Sequence, residues 1–297
     1  LPCPSFLQIL DYCADNDFTH IHTSTPGPMG LAALAAARIL QLPIYGTYHT
    51  SFPQYASQLT GDADMESLMW TGMVWYYNQL DRVYVPSRAT GEEIQAHGIH
   101  ADKISLYPRG IDISRFHPSY ASGFWSERYG LASESLKLLY VGRVSREKNL
   151  QILAHAFLQI AQEREDVELI IVGDGPFRDE LQTIMGKTRT VFTGTLSGLE
   201  LAQAYASSDI FIFPSTTDTF GNVVLEAQAS GLPVIATDQG GPQENIIPRQ
   251  TGLIVPGLDP EALCTAIRDL TENPELLVTM KGQARDYAQQ RSVQEAF

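Results

Sequence analysis

Apolar positions in this chain fall into short continuous runs separated by stripes at helical spacing. The runs LKLLYV (136–141) and VELIIV (167–172), and the run from Ile210 to Phe213, have the length and continuity of strands buried on both faces. Between the first two, Ile152, Leu153, Ala156, Phe157 and Ile160 mark one face of a helix over 150–163. The same patterns predict strands at 18–23, 43–50, 82–86, 105–107, 190–194, 233–236 and 252–255. Helices are predicted at 5–14, 30–40, 65–80, 88–97, 177–185, 198–206 and 260–272, and one from Phe220–Gly221–Asn222 to Gly231. Ser87 is suited to cap the helix that follows it. Strand and helix alternating with short links is the signature of α/β proteins with parallel sheets.

The alternation restarts after HPSYASG (117–123), which reads as a linker between domains 1–117 and 118–297. The first set shows only about three strands, fewer than a doubly wound half usually has. The chain also lacks an initiator Met. The expectation is therefore two Rossmann-like domains facing across a cleft, the N-terminal one truncated.

Composition narrows the function classes. With 34 acidic and 20 basic residues in 297, the net charge is −14, which disfavours nucleic acid and broad adhesion to anionic membrane. Cys3, Cys13 and Cys264 are too few and scattered for a disulfide framework or a zinc cluster, and a reducing cytoplasm is the simplest compartment. No apolar stretch approaches the ~18 residues of a membrane span.

Candidate chemistry gathers at strand ends. Gly142-Arg143-Val144-Ser145-Arg146-Glu147-Lys148-Asn149 leads from a strand into a helix N-terminus, where free N–H groups favour phosphate, and Arg143 and Lys148 add two cations. The plain alternative is a solvated loop with a salt bridge to Glu147. Gly173-Asp174-Gly175 after the next strand lacks the third glycine of a dinucleotide fingerprint and reads as a βα turn. Asp218 precedes the helix opened by Phe220–Gly221–Asn222, and it can cap that helix or act on a substrate. Glu226 lies inside the helix among core-like residues, a costly place for a charge that nothing binds. His49 ends a strand, where α/β sheets take ligands. His20 and His22 share a strand face without an evident third metal ligand, so packing or polar contact is the better reading. Asp62–Ala63–Asp64 lies in a polar loop and reads as surface.

Four of these segments, in order, resemble retaining glycosyltransferase family 4, which has the GT-B fold. GTYHTS (46–51) is similar to the family's N-domain histidine segment. PRGID (108–112) is similar to its Asn-Gly-Val-Asp segment, with Arg109 for the usual Asn. GRVSREKN (142–149) is similar to its diphosphate-binding segment. DTFGNVVLEAQASGLPVIA (218–236) is similar to its Glu-X7-Glu signature, with Asp218 for the first Glu, and GGPQE (240–244) fits too. Arg109 and Asp218 resemble a branch holding GDP-mannose-dependent mannosyltransferases and sulfolipid-type glycolipid synthases.

The resemblance implies transfer of a hexose from a GDP- or UDP-linked sugar to a lipid or glycan acceptor. It implies that Arg143 and Lys148 hold the diphosphate, with Gly142 and Gly173 lining the donor site. Glu226 would bind the ribose, and Asp218 with the N–H groups of Phe220, Gly221 and Asn222 would contact sugar and β-phosphate. His49 would reach a sugar hydroxyl. No cofactor or metal is implied, and the setting is cytoplasmic, with peripheral contact at the inner membrane face for a lipid acceptor. Two other classes compete. A GT-B epimerase or hydrolase of UDP-sugars would want further carboxylates for proton transfer, and a non-catalytic nucleotide-binding subunit would not need Arg143, Lys148 and Glu226 all in place.

Overall fold

A computed structural model gives the fold and describes residues 5–54, 56, 62–107 and 109–296. The chain divides into two compact units, Leu1–Pro108 and Arg109–Phe297, so residues 109–117 go with the second.

In the first unit, α1 (Phe6–Ala14), β1 (Ile21–Thr23), α2 (Pro28–Leu40), β2 (Ile44–Thr47), α3 (Ala63–Asn78), β3 (Arg82–Val85), α4 (Arg88–Ala96) and β4 (Ile104–Leu106) follow one another. The strands are all parallel and lie in the order β1-β2-β3-β4, matching the four runs read in the sequence once the short one at 105–107, which the count of about three left aside, is included. Ile44, Val83 and Val85 are buried on the sheet, with Leu34 and Ala37 of α2 and Tyr76 and Tyr77 of α3 in the same core. Ser87 caps α4 as expected, its Oγ accepting from Thr90 N at 3.2 Å.

Two local expectations change. His20 lies ahead of β1, so it does not share a strand with His22. The two histidines make the polar contacts expected of them: His22 Nε2 hydrogen-bonds Thr47 Oγ1 at 2.8 Å, and His20 Nδ1 hydrogen-bonds Thr19 Oγ1 at 2.9 Å. Asp62 to Asp64 is a helix start rather than a loop, with the Asp62 carboxylate accepting from Asp64 N at 2.8 Å. The acid's affinity for unpaired N–H groups at a helix N-terminus explains the change.

The second unit runs α5 (Phe124–Tyr129), β5 (Leu136–Val141), α6 (Leu150–Glu163), β6 (Val167–Val172), α7 (Arg178–Met185), β7 (Thr190–Gly194), α8 (Gly198–Ala206), β8 (Ile210–Phe213), α9 (Asn222–Ala229), β9 (Val234–Thr237), β10 (Gly252–Val255), α10 (Pro260–Thr271) and α11 (Pro274–Gln289). Six parallel strands stand in the order β10-β9-β8-β5-β6-β7. From β5 the chain moves outward through β6 and β7, then returns through β8 on the other side of β5. The gap between β5 and β8 is therefore the switch point, where open α/β sheets take ligands beyond the strands' carboxyl ends.

The charges within the apolar runs lie at the opposite rim. Lys137, near the start of β5, donates from Nζ to the carbonyls of Ala132, Ser133 and Ser135. Its cross-strand neighbour Glu168 accepts from Ser135 Oγ at 2.5 Å. Buried charges persist there because each has hydrogen-bond partners. Helices α5 and α11, which the apolar pattern left unassigned, bury Trp125 and Phe124, and Leu277, Met280, Ala284, Tyr287 and Ala288.

Candidate functional site

The loops after β5 and β8 meet over the switch point. The segment after β5 ends in a short 3-10 turn, Arg146–Lys148, and Asn149 turns left-handed (φ 54°) to start α6. That conformation aims the Asn149 amide across the gap, where Nδ2 donates to Thr216 Oγ1 at 2.9 Å and to Pro214 O at 3.3 Å. Thr217 Oγ1 donates back to Glu147 O at 3.4 Å. Beside these bonds the Lys148 ammonium meets the Asp218 carboxylate at 2.7 Å, both largely shielded from water.

Asp218 is fixed from a third side. Its carbonyl accepts from Gly241 N at 2.9 Å, in the loop that follows β9. It does not cap the helix, which was one reading of its position: the N-cap of α9 is Gly221, with no side-chain bond to the first turn. Lys148 draws the carboxylate the other way. Gly221 has φ 77°, and a Cβ there would stand 2.9 Å from Pro242 Cγ, so backbone and packing both require glycine. The N-terminus of α9 thus opens beside the ion pair, with Phe220 partly buried, Gly221 buried and Asn222 exposed.

Arg143 is exposed and lies 3.8 Å from Glu147, the salt bridge of the plain reading. Gly142 and Gly173, at the ends of adjacent strands β5 and β6, touch through their backbones. A Cβ on Gly173 would sit 1.9 Å from the Gly142 carbonyl oxygen, at φ 131°. Gly173 is required there by close packing of two βα turns.

Glu226 is separate from the Lys148–Asp218 pair. It sits further along α9, half-buried, and its Oε2 accepts from the Tyr205 hydroxyl at 2.9 Å. Burial pushes the Glu226 carboxyl above its ordinary range, while the bond from Tyr205 and the charge of Arg115 pull it partly back. Burial, then the neighbouring Glu226 charge, hold the Tyr205 phenol far above its ordinary value, so it remains a donor. His49 belongs to the first unit, half-buried two residues past the carboxyl end of β2.

Residues 2–115 match the Glycosyltransferase Family 4 domain, and residues 135–273 match the Glycosyl transferases group 1 domain. The chain belongs to the family 4, group 1 glycosyltransferases. It is 36% identical over 261 residues to sulfoquinovosyl transferase SQD2 of Arabidopsis thaliana, covering 86% of this chain and 50% of that protein. It is 38% identical over 236 residues to a GDP-mannose-dependent alpha-mannosyltransferase of Mycobacterium tuberculosis, covering 80% of this chain and 60% of that one. The chain thus spans about half to three fifths of the length of these relatives. A solved sucrose-phosphate synthase from Thermosynechococcus elongatus superposes with a TM-score of 0.79 at 25% identity, over 96% of this chain and 72% of that one. Two parallel-sheet α/β units are the GT-B architecture that the sequence motifs led one to expect.

Several residues of this candidate site carried no assignment in the sequence. Asn149 and Thr216 lace the two loops, yet in sequence each looks like an ordinary loop residue. Arg109 places its guanidinium 5.4 Å from the Phe220 ring centroid, a cation–π contact that no local pattern in the sequence points to. Tyr205 reads in sequence as one more aromatic on a helical stripe, and nothing in its spacing points to Glu226.

Proposed function

We propose that the protein is a retaining glycosyltransferase that moves a hexose from a GDP- or UDP-linked donor to a lipid or glycan acceptor, without a metal. One observation carries the reading. A shielded Lys148 ammonium stands at the switch point beside the uncapped N-terminus of α9. Cleaving a sugar–phosphate bond builds negative charge on the departing diphosphate. A fixed ammonium and a helix N-terminus stabilise that charge without reorganising. Arg143, exposed on the same loop, supplies a second cation that can leave Glu147 for phosphate.

In the proposed reaction the acceptor hydroxyl oxygen bonds to the anomeric carbon on the face that the diphosphate leaves. The sugar–phosphate bond breaks, its electrons pass to the β-phosphate, and the hydroxyl proton goes to a phosphate oxygen. Glu226 holds the donor ribose, the turn at 220–222 contacts sugar and β-phosphate, and His49 serves a sugar hydroxyl. The activities that name the relatives, sulfoquinovosyl and GDP-mannose-dependent mannosyl transfer, support this class. Among the described residues no helix is long and apolar enough to cross a membrane. In this reading a lipid acceptor is met by peripheral contact at a cytoplasmic membrane face.

A thermal-shift screen with UDP, GDP, ADP and their sugars tests the reading. A true donor at about 100-fold excess over its Kd should stabilise the protein by about 2.7 kcal/mol. No stabilisation by any nucleotide or nucleotide sugar would overturn it.

A further inference from the structure

Tyr205 is fully buried on α8, and its ring is clamped between Phe116, edge-on at 5.6 Å, and Phe211 at 5.7 Å. A side chain packed this way has one orientation available. Its hydroxyl ends on one Glu226 oxygen, 2.9 Å away, and so occupies part of that carboxylate's accepting capacity. We infer that Tyr205 is a positioning residue for nucleotide recognition, fixing Glu226 so that its remaining accepting positions meet the vicinal hydroxyls of a ribose. This rests on the assignment of Glu226 to the ribose.

A ribose 2′,3′-diol presents two donors, and only an ionised, oriented carboxylate accepts both well. Glu226 is half-buried on a helix with apolar neighbours, a setting that favours the protonated form. A protonated Glu226 would turn one oxygen into a donor and lose the match. The Tyr205 hydroxyl counters this, because it donates to the carboxylate and does not readily ionise itself. Arg115, exposed on the segment before Phe116, is the cation whose charge reaches Glu226. Three further ionisable groups around α9 are engaged elsewhere. Arg285 donates to the carbonyls of Phe116 and Ala229, Lys281 pairs with Asp209, and Tyr287 donates to the Glu244 carbonyl. Strands β8 and β9, which pack on α9, bring no ionisable side chain. Tyr140, the remaining phenol near Tyr205, donates to Arg143 O.

The test is the affinity of the tightest-binding nucleoside diphosphate, and of its 2′-deoxy form, from about pH 5 to about pH 8. Tyr205→Phe keeps the clamped ring and removes the donor. It should weaken ribonucleotide binding by about tenfold or more, move the acidic loss of affinity to higher pH, and affect the deoxy form less. An unchanged affinity and pH profile in a folded Tyr205→Phe protein would overturn the inference. Should that variant not fold, a ring-fluorinated tyrosine at position 205 keeps the packing and donates more strongly. It should move the acidic limb to lower pH, and an unmoved limb overturns the inference. Glu226→Gln separates the underlying assignment. If it leaves the preference for ribose over deoxyribose intact, the ribose assignment falls and the role of Tyr205 with it. If it abolishes the preference while Tyr205→Phe changes nothing, only the role of Tyr205 falls.

Discussion

Lys148 and Asp218, 70 residues apart in sequence, form a 2.7 Å ion pair over the gap between β5 and β8. In the proposed reaction the cation assigned to the leaving group has the protein's own anion as its partner, and donor binding would exchange one anion for another. Lys148→Ala in the full-length enzyme should lower kcat about a hundredfold or more, the scale of losing one such donor to a developing charge. An unchanged kcat would remove Lys148 from the mechanism. Asp218→Asn relieves the competition and should tighten binding of the free nucleoside diphosphate severalfold. Calorimetry on both variants checks the pair.

Glu226 gives a prediction for stability against pH. Its folded carboxyl is raised by burial, so the folded state holds the proton where the unfolded chain has released it. The contribution is most favourable below the unfolded carboxylate range and is lost as pH rises through the raised folded value. Glu226→Gln still accepts from Tyr205 and removes the charge. It should raise stability at neutral pH by about 1 kcal/mol, as neutralising a costly site residue commonly does, with little gain in acid. Denaturant unfolding at the two pH values measures the difference, and an equal effect at both would contradict it.

Asn149 joins backbone and side-chain demands in one residue. Its φ of 54° suits Asn or Gly, and its amide holds Pro214 O and Thr216 Oγ1. Asn149→Ala adds left-handed strain to the loss of both bonds and should cost about 2–3 kcal/mol. Asn149→Gly loses only the bonds and should cost less. The order of the two midpoints in urea tests the strain, and it reverses if the left-handed backbone costs nothing and helix propensity governs the site; an Asn149→Gly midpoint equal to wild type would show that the bonds contribute nothing.

Gly173→Ala has no room. Its Cβ would fall 1.9 Å from the Gly142 carbonyl oxygen, so the turn after β5 or β6 must shift. We expect a loss of about 2 kcal/mol or more, together with weaker nucleotide binding because Gly142 opens the Lys148 loop. Wild-type stability would show that the two turns separate freely.

The second unit was the more legible in sequence. Its strands are buried on both faces, and runs such as LKLLYV and VELIIV have no other stable setting. The first unit's short strands blurred at their ends: the expected strand at 43–50 stops at Thr47, and the one at 18–23 begins at Ile21. There a few polar residues shift the boundary. Within the site, Lys148 and the turn at 220–222 were visible because a βα turn with cations has a local pattern. The Lys148–Asp218 and Tyr205–Glu226 partnerships were not, because each joins side chains from separate elements and leaves no spacing to read. Asp218 shows the limit well: short acids before a helix usually cap it, and here a distant lysine wins.

The strand order of the second unit also bears on how the site comes into being. Strands β5, β6 and β7 can pair as soon as they are made, but β8 must return past them to reach the far side of β5. Until it docks, Lys148 has no carboxylate, Asn149 has no loop to lace, and the N-terminus of α9 has nothing beside it. The switch-point end of the sheet thus depends on long-range closure, which is slow compared with local pairing. A chain halted before Phe213 would contain every residue of the β5 loop and still possess no site.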